Sequence, residues 1–139
     1  MKKLTAFIFV LTIGSTVLAL MSSCKKYEDG PMISFRTRTE RLSNTWKVDN
    51  YTVNGNDLTS LYTDCTETFS KSGSYSYSCG LFDGVGTWKF QSNDERIQLT
   101  GNDDKSNRNL KILKLEENAF WYSTDDGSDH SEVHMVTKK

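Results

Sequence analysis

Proline is nearly absent: Pro31 is the one proline in 139 residues. A proline-rich or collagen-like chain is thereby excluded, and an aromatic content of 12% argues against a disordered one. Charge of one sign is missing too. Seventeen Lys and Arg meet 18 Asp and Glu, a net charge of −1, so no bulk field draws the chain to nucleic acid. The motifs of common enzyme chemistry are lacking: there is no G-x-S-x-G elbow and no P-loop. Three cysteines occur without Cys-x₂-Cys spacing, which removes the usual zinc site. Two histidines, His130 and His134, are four apart. That spacing serves a metal on a helix, but it spans about 13 Å on the strand expected here. The acidic stretches Asn102-Asp103-Asp104 and Asp125-Asp126-Gly127-Ser128-Asp129 do not follow the calcium-loop pattern and read as Asx-rich turns. No catalytic residue, metal or cofactor is expected.

A long apolar run occurs once. Residues 4–20 are uncharged and mostly apolar, after Met1-Lys2-Lys3 and before Met21-Ser22-Ser23. Basic start, apolar middle and small-residue exit make a secretory signal over residues 1–23. The run is interrupted by Thr12, Gly14, Ser15 and Thr16 and lies at the lower limit for a membrane span. Met21-Ser22-Ser23-Cys24 resembles a lipobox, with Met21 where leucine is usual. The resemblance implies cleavage before Cys24, which then carries diacylglyceryl and further acyl (palmitate-like) chains. Each buried CH₂ contributes roughly 0.8 kcal/mol, and one chain alone holds only marginally. The resemblance implies two or three chains, hence lasting attachment to a membrane. Lys25, rather than aspartate, after the cysteine favours an outer-membrane lipoprotein, on its periplasmic face or at the cell surface. Lys25-Lys26-Tyr27-Glu28-Asp29 is similar to a short charged surface-export tag. Removing Lys2 and Lys3 with the signal leaves 15 basic against 18 acidic residues, a charge near −3.

Residues 24–36 read as a tether, with Gly30-Pro31 opposing regular structure. Residues 37–139 form the single expected domain. Thr37-Arg38-Thr39-Glu40 fits a capping box and predicts a short helix through Leu42. The rest is β-patterned: Thr45–Val53, Cys65–Phe69, Tyr75–Cys79, Gly84–Phe90, Arg96–Thr100, Asn109–Leu115, Ala119–Ser123 and Ser131–Val136. Turn residues such as Asn54-Gly55 separate them. Eight short antiparallel strands suit an up-and-down meander. Closure into a barrel removes both exposed edges, so an all-β closed barrel is expected over a sandwich.

A hairpin centred on Ser72 places Glu67 opposite Tyr77, Phe69 opposite Tyr75 and Cys65 opposite Cys79, all on one face. Opposed Cα atoms lie about 4.5–5.5 Å apart, within disulfide reach. The exported compartment permits oxidation, so Cys65–Cys79 is expected to be bridged.

Aromatic residues recur on several strands. Trp46, Tyr75, Tyr77, Trp88, Phe120 and Tyr122 are the candidates to line a ligand cavity; the plainer expectation is that they fill the barrel. The lipobox, the charged tether, Arg41-Leu42-Ser43-Asn44-Thr45-Trp46-Lys47-Val48, Gly73-Ser74-Tyr75-Ser76-Tyr77 and Gly86-Thr87-Trp88-Lys89-Phe90 together resemble the small lipocalin-like lipoproteins of Gram-negative bacteria. The resemblance implies an eight-stranded barrel with a short N-terminal helix. It implies a tryptophan, here Trp46, plugging one end against a basic residue, here Arg36, Arg38 or Arg41. Asn44 stands where that family carries glycine. Two functions follow as expectations. One is an anchored, non-catalytic binding module for a small apolar or amphipathic ligand. The other is an accessory surface lipoprotein whose outer face holds a protein or glycan.

Overall fold

The computed structural model describes residues 35–139. The signal peptide expected at residues 1–23, Cys24 and the expected tether through residue 34 lie outside them. Helix α1, Arg38–Leu42, starts at Thr37, whose hydroxyl accepts from the Glu40 N–H while the Glu40 carboxylate accepts from the Thr37 N–H. These bonds satisfy donors that a helix start otherwise leaves open.

Strand β1 (Thr45–Val53) ends at Asn54-Gly55, both at positive φ, and returns through the two-residue β2 (Asn56–Asp57). Asparagine and glycine are the residues that such a reversal accommodates most readily. A 3₁₀ turn, Thr59–Leu61, leads to β3 (Thr66–Phe69). Then follow β4 (Ser74–Cys79), β5 (Phe82–Gln91), β6 (Arg96–Gly101), β7 (Asn109–Leu115), β8 (Ala119–Asp126) and β9 (Asp129–Thr137). Every neighbouring pair is antiparallel, and β9 pairs back along β1 from Trp46↔Thr137 to Val53↔Ser131. β1 and β3–β9 therefore close an eight-stranded antiparallel barrel. The expected β-barrel is the observed one. The register Glu67↔Tyr77 and Phe69↔Tyr75 is also as the sequence predicts.

The two barrel ends differ. At one end lie α1 and the turns at residues 70–73, 92–95 and 116–118. At the other lie the longer connections 58–65 and 102–108 and the tight turns 80–81 and 127–128. Below the midline the interior is closed by side chains. Leu42, Trp46, Phe69, Ile97, Leu99, Leu110, Leu115, Phe120 and Met135 are buried. Phe120 is the hub of the rings: its centroid is 5.7 Å from Trp46, 5.7 Å from Phe69 and 5.2 Å from Tyr122. Aromatic pairs at such separations add about 0.5–1.5 kcal/mol each beyond area burial. The Trp46 indole N–H donates to the Leu42 carbonyl at 2.9 Å, joining the first strand to α1.

Cys65 and Cys79 are disulfide-bonded, their Cα atoms 4.1 Å apart. The bond ties the start of β3 to the end of β4 at the open end. In the chain-entropy view a loop of this size stabilises by about 3 kcal/mol.

Candidate functional site

Strand alternation sends every second side chain inward. In the closed half those positions carry apolar groups; in the open half they carry Glu67, Tyr122, Thr124, Ser131 and Val133. The result is a cavity of about 660 Å³ bounded by β1, β3, β8, β9 and the connections 58–65 and 102–108. Its walls include Val48, Tyr51, Tyr62 and Val133, with the Tyr51 and Tyr62 rings 4.2 Å apart. Its rim carries Asp104, Asp125 and Asp126, all exposed.

The floor is a polar cluster. Glu67 is 1% exposed. Its Oε1 accepts from the Tyr122 hydroxyl at 2.8 Å and from Arg108 Nη2 at 3.1 Å. Arg108 Nη2 also donates to the Tyr122 oxygen at 3.1 Å. Lys105 Nζ stands 3.9 Å from the same carboxylate oxygen and 4.9 Å from the centroid of the Tyr77 ring. Glu67 Oε2, Arg108 Nε and the Tyr75 hydroxyl are buried without a hydrogen-bond partner. Burial, then the Glu67 charge, raises both Tyr75 and Tyr122 above the ordinary phenol range. Both phenols therefore stay protonated and can donate. Burial pulls the Lys105 ammonium below its usual value, and Glu67 opposes that. Two cations thus share one carboxylate oxygen.

The connection 102–108 that delivers Lys105 and Arg108 is itself fixed. Ser106 donates from its N–H to Asp103 Oδ1 (2.9 Å) and from its hydroxyl to Asp103 Oδ2 (2.8 Å). These bonds hold the Asp103 carboxyl below the ordinary carboxylate range. The Tyr77 hydroxyl donates to Asp103 at 3.1 Å. Gly101 enters the loop so close to Ser106 that a Cβ there would lie 2.5 Å from the Ser106 Cβ and 2.9 Å from its carbonyl oxygen. Only glycine fits that approach.

Of the six aromatic candidates, Tyr122 lines the cavity. Trp46, Tyr75, Trp88 and Phe120 instead belong to the packed core, and Tyr77 stands behind Lys105. That placement has a packing cause: rings of this size meet one another across the closed half of a small barrel. Trp88 uses its indole N–H on the Ser70 carbonyl at 2.9 Å. Near Trp46, Arg41 is buried, Arg36 pairs with Glu117 at 3.3 Å and Arg38 pairs with Asp94. His130 and His134 serve separate carboxylates, Asp125 and Glu132. The residues that composition did not single out are Glu67, Lys105, Arg108, Tyr51 and Tyr62. Glu67 had a visible signal, an acid on the same strand face as Cys65 and Phe69.

No family model and no curated protein matches the sequence. Among solved structures, a lipocalin-like protein from Bacteroides uniformis superposes with a TM-score of 0.57 at 16% identity, covering 70% of this chain and 99% of that one. The fold is lipocalin-like. One end of the lipocalin-like barrel is plugged by α1 and the core rings, and the other opens onto the polar-floored cavity.

Proposed function

We propose that this lipocalin-like barrel is a non-catalytic binding module that holds a small amphipathic molecule in its open-end cavity. The observation that carries the reading is the cavity's division: Val48, Tyr51, Tyr62 and Val133 on the walls, and Glu67, Lys105, Arg108 and Tyr122 beneath them. Ligand sites typically combine an apolar lining with a few fixed polar groups. A wholly apolar ligand would leave the floor's donors unpaired, which disfavours it. Catalysis finds no support in the cluster. Its tyrosines are held neutral and Glu67 Oε1 is engaged by Arg108 and Tyr122, an arrangement suited to holding a ligand's polar end. Leu61 and Leu81 in the connections and Phe82 at the start of β5 are exposed at the same end, an apolar fringe suited to amphipathic cargo.

The test is displacement of the fluorescent anion 1-anilinonaphthalene-8-sulfonate by fatty acids, alcohols and amines of graded chain length. Saturable displacement, lost when Tyr62→Trp and Ser131→Trp crowd the cavity in a still-folded variant, supports the reading. Binding that ignores that crowding overturns it.

A signal peptide at residues 1–23 and acylation of Cys24 would place the module on an outer membrane, at its periplasmic face or at the cell surface. The support is the basic start, apolar run and lipobox-like Met21-Ser22-Ser23-Cys24. Cys24→Ser is expected to leave an unprocessed precursor that takes up no labelled palmitate. Normal processing with continued acylation would end the assignment. An outer face that holds a protein or glycan has less behind it. Trp121, an outward tryptophan on β8, is already stacked on His134 at 3.9 Å, with Lys114 Nζ 4.2 Å from its ring centroid.

A further inference from the structure

The cavity floor has more hydrogen-bond donors than acceptors to meet them. Arg108 and Lys105 converge on one buried carboxylate, Glu67, while the other acid acting on Lys105, Asp103, is taken up by Ser106 and Tyr77. Glu67 Oε1 already accepts from Arg108 and Tyr122 at 3.1 and 2.8 Å, so Lys105, at 3.9 Å, lies beyond hydrogen-bond distance of it. A partly buried ammonium with no hydrogen-bonded acceptor is costly, and a ligand that supplies one relieves that cost. Arg108 Nε is a second donor with no acceptor. Both side chains keep about a quarter of their surface, 26% for Lys105 and 25% for Arg108, and both line the cavity.

We propose that the cavity takes an organic monoanion, a small carboxylate with an apolar body, whose head group seats on Lys105 beside Arg108 at the floor. This inference rests on the binding-module reading and names its ligand class. Lys105 Nζ, within ion-pair but not hydrogen-bond distance of Glu67, is the donor that a single carboxylate would take. The rim supports the limit to one: Asp104, Asp125 and Asp126 stand at the opening, with Asp125 held by His130 Nδ1 at 2.7 Å. Those exposed acids are partly screened by salt, yet they repel a dianion more than a monoanion. Tyr51, Tyr62, Val48 and Val133 then cover the apolar body. Charge-assisted hydrogen bonds to a carboxylate from a lysine and an arginine are the stronger kind, and the drier floor strengthens them further. The Glu67 carboxylate fixes the position of Arg108 and leaves the Lys105 ammonium without a hydrogen bond from it.

The experiment is calorimetric titration of the folded domain, residues 24–139 without the signal, with octanoate, octanol, octylamine and octyl phosphate at pH 8. Octanoate is expected to bind tightest, about tenfold or more above octanol, the factor one charge-assisted hydrogen bond provides. Lys105→Met keeps the stem against Tyr77 and is expected to remove that advantage, bringing octanoate down to about the level of octanol. Lys105→Arg is expected to restore most of it, which separates charge from folding; thermal melts of both variants check the fold directly. Octanol or octylamine binding as tightly as octanoate, or an unchanged octanoate affinity in a folded Lys105→Met, overturns the anion assignment and leaves the cavity reading standing. Octyl phosphate binding tightest overturns the single-charge form. No binding by any of the four overturns both readings.

Discussion

Phe120→Ala is expected to destabilise the barrel by about 3–5 kcal/mol, the range for deleting a fully buried phenyl ring. Phe120 has no exposed surface and touches the rings of Trp46, Phe69 and Tyr122, so no single neighbour can move in to fill the space. It pairs with Leu115 on β7 and Met135 on β9, both fully buried, and those strands are locked by closure onto β1. A domain of this size shifts its midpoint by roughly 4–8 °C per kcal/mol, so the melting temperature is expected to fall by more than about 12 °C. Phe120→Leu keeps part of the volume and should lose only about 1–2 kcal/mol. Urea melts of the three proteins check both figures. A loss below about 1 kcal/mol for the alanine variant would mean that the closed half is not the packed layer described. The effect reaches the site through one contact, since Tyr122 rests on Phe120 and carries the hydroxyl that binds Glu67.

The fold was legible because its signals are local. Alternation and turn residues mark each strand, and Asn54-Gly55 and the Ser72 hairpin set two reversals and one register without reference to the rest of the chain. The cysteine pairing follows from that same register. The strand ends were less legible. β5 begins at Phe82 and β8 runs to Asp126, beyond the alternating cores at 84–90 and 119–123, because ladder bonds to neighbours extend strands through residues with little strand preference. The bulges between Val48 and Asn50 and between Ile112 and Lys114 have no sequence mark and reset which residues face inward. The site was legible only in part. Aromatic residues stand out in a sequence, yet in a barrel this narrow they complete one another's packing. Lys105 and Arg108 come from a connection with no periodicity, and their approach to Glu67 depends on Gly101, Asp103 and Ser106 folding that loop inward. A charged residue at an inward strand position, Glu67, was the more informative mark, since an acid is seldom buried without partners.

Glu67 also gives the sharpest separation of stability from binding. Glu67→Leu removes the counter-charge of Arg108 and Lys105 and the acceptor of Tyr122. Breaking a buried pair from one side costs about 3–5 kcal/mol, because the remaining charge is left uncompensated. Here the remaining cations face the cavity and can reach its water, which places the expected loss toward the lower end of that range. Adding Arg108→Leu removes one stranded charge, so the double variant is expected to be more stable than Glu67→Leu alone, a coupling that a double-mutant cycle measures. Glu67→Gln keeps an acceptor for Tyr122 while deleting the negative charge, and should cost about 1–2 kcal/mol. The same change removes the carboxylate charge that faces Arg108 and Lys105. Affinity for octanoate is therefore expected to rise in Glu67→Gln as stability falls, whereas octanol affinity stays put. Denaturant melts and titrations on one preparation read both signs. A glutamine variant that is folded, less stable and weaker for octanoate would show that Glu67 serves the ligand directly, and the Lys105–Arg108 pair would no longer explain what the cavity holds.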